Sequence, residues 1–281
     1  MSVQAATTAL NLTSWVILGV LGLAFGSFAT VLESRVQHGR SVVVPPSACP
    51  HCAHTLRWYE NIPVLSYLAL RGKCYHCRRP ISAKYPLIEL TTAGLFVMAF
   101  QPMSDSSAFA TVNPPDFQPG NIAMAAMAVI SVPLTLIDFR VHRLPNALTY
   151  PVGILLITVM AWVSISEKSA YESSNVFLQG FIPAAALFVL GIVSRGGMGL
   201  GDVKLAALMG WSIGWFGIGA TVTSFVAAFI LGGAWGIALL VTRRAGRKSA
   251  IPFGPFLVAG LWASFALGHY WQNIVLSLWG L

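Results

Sequence analysis

Eight apolar runs constrain this 281-residue chain more than any other feature. They cover approximately residues 15–32, 86–100, 122–137, 148–165, 176–193, 203–218, 220–241 and 253–281. A helix satisfies its backbone hydrogen bonds internally, so runs of this kind can cross lipid. Full crossing takes about 20 residues, and the shorter runs reach it only by borrowing interfacial neighbours. Only 9% of the residues are charged, against roughly 25% in soluble domains. That scarcity excludes a soluble globular chain, and the 56% hydrophobic content excludes disorder. The 26 Gly and 16 Pro show no collagen-like period. The expected fold is an all-α polytopic membrane protein of about eight transmembrane helices. Residues 1–11 lack Lys and Arg, and the first run is long for a signal peptide, so it reads as a retained anchor. His269 in the last run suggests that its outer end leaves the hydrocarbon.

The few charges sort by side. With eight spans, the loops 33–85, 138–147, 194–204 and 242–252 share one face and hold 16 of the 17 Lys and Arg. The opposite face keeps Lys168 beside Asp105, Asp116, Glu167 and Glu172. The positive-inside rule makes the first face cytoplasmic and puts both termini outside. The net charge of +8 is then explained by topology and anionic lipid, with no nucleic-acid partner required. The expected division is residues 1–32 as the first helix, 33–85 as a cytoplasmic insert, and 86–281 as a seven-helix domain. No internal repeat stands out.

All four cysteines lie in that insert, as Cys49-Pro-His-Cys52 and Cys74-Tyr-His-Cys77. Two C-x-x-C pairs offer four thiolates to one tetrahedral Zn²⁺, whose binding can order a segment too small for its own core. Two disulfides or a redox pair are the alternatives, and a reducing cytosolic face disfavours them. His51, His54 and His76 are spare ligand candidates. Four cysteines leave no open position, so the metal is expected to be structural.

Carboxylates at a membrane edge are costly and mark functional sites. Asp138 ends the third run and Asp202 opens the sixth, at the same cytoplasmic depth. Two facing carboxylates can share a proton, one acting as general base on water while the other polarises a carbonyl. Gly196, Gly197, Gly199 and Gly201 clear space around Asp202 for an extended backbone. The plainer alternative is that both aspartates cap helix ends or pair with Arg140 and Lys204.

In order along the chain come Phe25-Gly-Ser-Phe28, Cys49-Pro-His-Cys52, Trp58-Tyr-Glu-Asn-Ile-Pro63, Leu70-Arg-Gly-Lys-Cys74, Cys77, Asp138 with Leu144-Pro-Asn-Ala-Leu-Thr149, Gly199-x-Gly-Asp202-Val-Lys204 and Ile251-Pro-Phe-Gly-Pro255. This series resembles the bacterial type IV prepilin peptidases, bifunctional leader peptidase/N-methyltransferases of the Gly-x-Gly-Asp aspartic class. The resemblance implies an inner-membrane endopeptidase with Asp138 and Asp202 as catalytic pair. It implies type IV prepilins or type II secretion pseudopilins as substrates, cut after the leader's glycine. It also implies S-adenosylmethionine-dependent methylation of the new N-terminus. Thr30 stands where the family usually has Asn, and no G-x-G-x-x-G loop marks a donor site. A basic leader meeting a basic face needs acids, and Glu33, Glu60 and Glu89 are candidates to seat it. Two other classes are an ion- or proton-coupled transporter using the aspartates as a relay, and a zinc-ribbon scaffold of a secretion complex. A transporter would place its acids nearer mid-membrane.

Overall fold

The computed structural model describes residues 3–36, 39–101, 115–166, 170–193, 199–242 and 252–279. Lys168, Asp105, Glu167, Gly196, Gly197 and Ile251 of the sequence reading lie outside the described residues, as do the side chains from His269 onward. The described chain is helical and has no β-strands beyond isolated bridges. Helices α1 (Val3–Val36), α3 (Lys84–Ala99), α4 (Pro119–Val141), α5 (Asn146–Ser166), α6 (Ala170–Val193), α7 (Leu200–Ile213), α8 (Ile218–Val241) and α9 (Gly254–Trp279) take up the eight apolar runs. A short α2 (Leu65–Ala69) belongs to the insert between α1 and α3. The chain is therefore an all-α, multi-pass membrane protein.

Five helices are long and apolar enough to cross a membrane alone: α1, α4, α5, α6 and α8. The other three runs form shorter apolar stretches. At 1.5 Å per residue the 14 residues of α7 span only about 21 Å, less than the roughly 30 Å hydrocarbon thickness. The expected run 203–218 in fact ends early, in a 3-10 turn over Gly214–Phe216, and Ile218 already belongs to α8. Gly217, at φ 97°, makes that break. The last run is interrupted at Gly268, whose φ of 49° and ψ of −136° are not helical.

The helices arrange around α4. In its apolar window 61% of residues are buried, against 22% in α6 and 11% in α8, so α4 is central and the others face lipid. Met124, Met127, Leu134 and Ile137 of α4 are fully enclosed, as are Leu205 and Met209 of α7. Ile182, Ile230 and Ile237 point outward, as a lipid solvent demands. Because lipid removes much of the hydrophobic drive between helices, polar bonds and close approach hold them. Trp262 Nε1 donates to Ser131 Oγ at 2.9 Å, joining α9 to α4, and Ser264 Oγ donates to the Ala220 carbonyl at 2.8 Å, joining α9 to α8.

Between α1 and α3 the helix backbones nearly touch. A Cβ on Gly26 would lie 2.6 Å from the Glu89 Cα, closer than any side chain tolerates. Replacing Gly26 with Val should therefore push α3 off α1 and cost about 1–3 kcal/mol. Thermal unfolding of the detergent-solubilised protein should show a lowered midpoint, and an unchanged midpoint contradicts this packing.

Candidate active site and metal centre

The insert owes its shape to two backbone knuckles with the same hydrogen-bond pattern. In the first, the Cys49 N–H donates to the His54 carbonyl and the Ala53 N–H to the Cys49 carbonyl, each at 2.9 Å. In the second, the Cys74 N–H donates to the Arg79 carbonyl at 2.9 Å and the Arg78 N–H to the Cys74 carbonyl at 3.0 Å. Ala53 and Arg78, at φ 55° and 58°, occupy the same left-handed position in each knuckle. The bridges Ala48–Thr55 and Lys73–Pro80 also correspond. The two C-x-His-Cys halves are thus a structural repeat whose matching backbone extends beyond the shared residues.

The knuckles bring Cys49, Cys52, Cys74 and Cys77 together, with their sulfur atoms all within 4.8 Å of one another. The Cys49 and Cys77 sulfurs are 3.9 Å apart. Ligands at 2.3 Å around a tetrahedral Zn²⁺ stand about 3.8 Å from each other, so the set matches that ion. No disulfide links these cysteines. Burial opposes ionisation of Cys49, yet the His51 and Cys52 N–H groups pull its thiol down to about 7. For Cys52 the His54 N–H favours the thiolate, but burial and the crowding thiols Cys49, Cys77 and Cys74 push it up to about 11. Four sulfurs this close carry negative charge together only around a cation. His54 and His76 stack on each other at 4.9 Å between ring centroids and lie outside the four-sulfur group. The purified protein should carry one Zn²⁺ per chain by elemental mass spectrometry. Cys49→Ser with Cys77→Ser should remove it, and a metal content that survives both changes contradicts the assignment.

The carboxylates occupy helix ends. Asp138 lies in the last turn of α4, 4% exposed, and its Oδ2 accepts the Gly254 N–H at 3.1 Å. That donor sits at the start of α9, where helix N–H groups lack internal partners. A Cβ on Gly254 would stand 2.7 Å from the same oxygen, so the approach requires glycine. Asp202 lies in the first turn of α7, and its Oδ2 accepts the Gly199 N–H at 3.3 Å. The Asp138 carboxylate is near enough to act electrostatically on Asp202. Leu144, in the link between α4 and α5, fills the corner against both Gly201 and Gly254.

The aspartates do hold helix-start N–H groups, as the plainer reading anticipated. The ion pairs of that reading are absent. Arg140 instead bonds Glu33 of α1, which also takes Lys84 of α3 at 2.7 Å. Lys204 donates to Asn146 Oδ1 at 2.8 Å and to the Tyr150 hydroxyl at 3.3 Å. Among the described residues, neither Asp138 nor Asp202 pairs with Lys or Arg, although His142 acts on Asp138 electrostatically. Glu60 and Glu89, both 9% exposed, face the insert, where Glu60 Oε2 accepts the Arg57 N–H and Glu89 Oε2 the Val64 N–H, each at 2.7 Å. Gly254, Asn146 and Tyr150 were not singled out from the sequence. The only signal for Gly254 was its place in Ile251-Pro-Phe-Gly-Pro255. Two neighbouring carboxylates held by backbone donors, with no Lys or Arg on either among the described residues, can share a proton and activate water.

This fold defines a polytopic membrane protein with two carboxylates near one another at helix ends and an insert that gathers four cysteines able to hold a metal ion. Residues 20–103 match the bacterial peptidase A24 N-terminal domain, and residues 124–237 match the type IV leader peptidase family. The chain belongs to the type IV leader peptidase family. It is 36% identical over 232 residues to the prepilin leader peptidase/N-methyltransferase of Burkholderia pseudomallei, covering 81% of this chain and 69% of that protein. The protein of the same name from Aeromonas hydrophila is 35% identical over 81% of this chain and 73% of its own length. That from Bacillus subtilis is 29% identical over 90% of this chain and 94% of its own. No solved structure matches this chain.

Proposed function

We propose that this chain is a membrane aspartic endopeptidase that removes the basic leader of type IV prepilins or type II secretion pseudopilins. Cleavage falls after the leader's glycine, at the cytoplasmic face of the bacterial inner membrane. The proposed topology has both termini outside. The observation that carries the reading is that Asp138 and Asp202, each held by a glycine N–H at a helix end, lie near enough to act on each other electrostatically, with no Lys or Arg paired to either among the described residues.

In the proposed mechanism one carboxylate is ionised and draws a proton from water as it attacks the scissile carbonyl. The other is protonated and hydrogen-bonds that carbonyl oxygen, then passes its proton to the leaving amine. The Gly254 N–H keeps the Asp138 carboxylate oriented during both transfers. Gly199 leaves room beside Asp202 for an extended peptide, whereas Gly201 lets Leu144 pack close to the start of α7, and Lys204 braces α7 against α5 through Asn146 and Tyr150. Both acids sit at helix ends, a placement suited to a substrate arriving from the aqueous side rather than to a relay across the membrane.

The same chain would then methylate the exposed N-terminal amine. Its cofactor, S-adenosylmethionine, supplies a methyl carbon on a cationic sulfur. The amine must be neutral to accept it, forming C–N as C–S breaks and losing its proton to solvent. The cysteine centre would hold Zn²⁺ as a staple, since four thiolates leave the ion no open position. The division of labour would follow the chain: the 33–85 insert, carried by the first helix, for methylation and the 86–281 helices for cleavage. Anionic lipid would attract the basic cytoplasmic loops and the leader alike.

Asp138→Asn and Asp202→Asn should each reduce leader cleavage at least about a hundredfold, with metal content and unfolding midpoint unchanged. Either variant retaining most of the wild-type rate rules out the pair as the catalyst. Mass spectrometry of a prepilin processed with S-adenosylmethionine should find the leader lost and one methyl group gained. Leader loss with an unmodified amine would leave the peptidase standing and remove the methyltransferase.

A further inference from the structure

At the end of the bundle opposite the aspartates lies a cavity of about 490 Å³, where the starts of α4 and α6 meet the 3-10 turn between α7 and α8. Asn121 lines it and precedes Asp138 by 17 residues of the same helix, about 26 Å. We propose that this cavity binds the ammonium end of a phospholipid headgroup of the ethanolamine type. Such a site is independent of leader cleavage and of methylation.

The walls are held by groups that have no bonding capacity to spare, with one exception. Gly120 lets α4 sit directly on the turn, since a Cβ there would lie 2.7 Å from the Trp215 Cβ and 2.9 Å from the Phe216 ring. Gln179 of α6 ties the same turn: its Nε2 donates to the Gly214 carbonyl at 3.1 Å, and its Oε1 accepts the Thr221 hydroxyl. Both ends of that amide are thus engaged. Asn121 is different. It is fully buried, and its Nδ2 donates to the Ala99 carbonyl at 2.8 Å and the Gln101 carbonyl at 3.4 Å. Those two acceptors fix which way the amide faces. Its Oδ1 is left with no hydrogen-bond partner. A buried acceptor without a donor is costly, and a ligand bringing N–H groups relieves it, directly or through one water.

The charge of the cavity selects the sign of that ligand. Asp116 and Glu172 line it, and no Lys or Arg does so among the described residues. Neither carboxylate pairs with a cation among the described residues. Asp116 Oδ1 accepts the Gln118 N–H at 3.2 Å, which orients the carboxylate without neutralising it. An anion would be repelled here and a cation drawn in. The Trp215 and Phe216 rings add faces that favour an ammonium. The volume falls within the roughly 300–1,000 Å³ of small-molecule pockets, far more than a bare metal ion needs. A primary ammonium satisfies the carboxylates by its charge and Asn121 by its N–H groups. A trimethylated one could satisfy only the carboxylates.

The surroundings point to a lipid as the carrier of that ammonium. Phe117, Trp162, Ile165, Phe177 and Ile218, on the segments that frame the cavity, are all exposed. In a membrane-spanning chain such side chains meet acyl chains, and tryptophan near a helix end marks the headgroup level. The amides of Gln118 and Asn175, which also line the cavity, offer N–H donors to the phosphate next to the ammonium. The headgroup would enter the cavity while its chains lie along the outer faces of α5 and α6.

The test counts bound lipid. Full-length protein in detergent is equilibrated with phosphatidylethanolamine, phosphatidylcholine or phosphatidylglycerol of identical acyl chains, and adducts are measured by native mass spectrometry. Phosphatidylethanolamine should be retained about fivefold or more over the other two. Asp116→Asn with Glu172→Gln should abolish that preference, and Asn175→Trp should fill the cavity and remove the adduct. Unfolding midpoints establish which variants are folded. Glu172 is exposed and Asp116 half-buried, so the paired charge variant keeps the test decisive even where the tryptophan disturbs α6. Equal retention of the three lipids by the wild type, or an unchanged preference in the folded charge variant, overturns the proposal. Displacement of the lipid by free O-phosphoethanolamine or putrescine at concentrations matching the lipid's own would assign the cavity to a soluble amine and overturn the lipid as its occupant.

Discussion

The carboxylate of Glu33 is the tie on which the cytoplasmic end of this bundle depends. It is 3% exposed, and it draws in Arg140 from α4 and Lys84 from α3. A buried acid left unpaired would be costly, and two cations from two other helices remove the penalty only when all three helix ends meet at one level. Fixing the end of α4 fixes Asp138, two residues before Arg140. Fixing the start of α3 fixes where the insert rejoins the membrane. The tie also takes Arg140 away from Asp138, which is left to a backbone donor instead.

That substitution of partners gives the site its character. A guanidinium would hold Asp138 permanently ionised and unfit to share a proton. One N–H at the start of α9, and another at the start of α7 for Asp202, orient the carboxylates without neutralising them. Helix starts are well suited to this, since their first N–H groups have no partner inside the helix. The requirement for glycine at 254 follows from the same geometry, because any side chain there would occupy the space of the Asp138 oxygen. The insert works on a different principle. It has too little apolar substance for a core of its own, so two repeated knuckles and four sulfurs define its shape.

Much of this was legible in the residues, and the reasons for the rest are physical. Eight apolar runs became eight helices because lipid permits little else, and hydrophobic length is a local property. The cysteine pairs and the two aspartates were visible because each is chemically rare in such a chain. The break between α7 and α8 was expected at residue 219 and falls a few residues earlier, because residues 214–218 are apolar and only the positive φ of Gly217 marks the end of the segment. The two C-x-His-Cys pairs were legible, but their shared left-handed turn was not, because its positions are filled by Ala53 and Arg78 where glycine would have announced it. Arg140 was paired by proximity with Asp138, whereas its partner lies 107 residues away. Gly254 showed only as one letter of a motif, because its contact spans 116 residues. Through-space partners of this kind leave no local signal.

The central claim is that Asp138 and Asp202 act as one titrating unit on water. The most direct measurement is the pH profile of kcat/KM for leader cleavage by the full-length protein, alongside Asp202→Glu. A shared proton predicts a bell-shaped profile whose two limbs belong to the pair, both of them moved by the single substitution. A profile with one limb, or one whose limbs move independently of Asp202, would contradict a dicarboxylate mechanism.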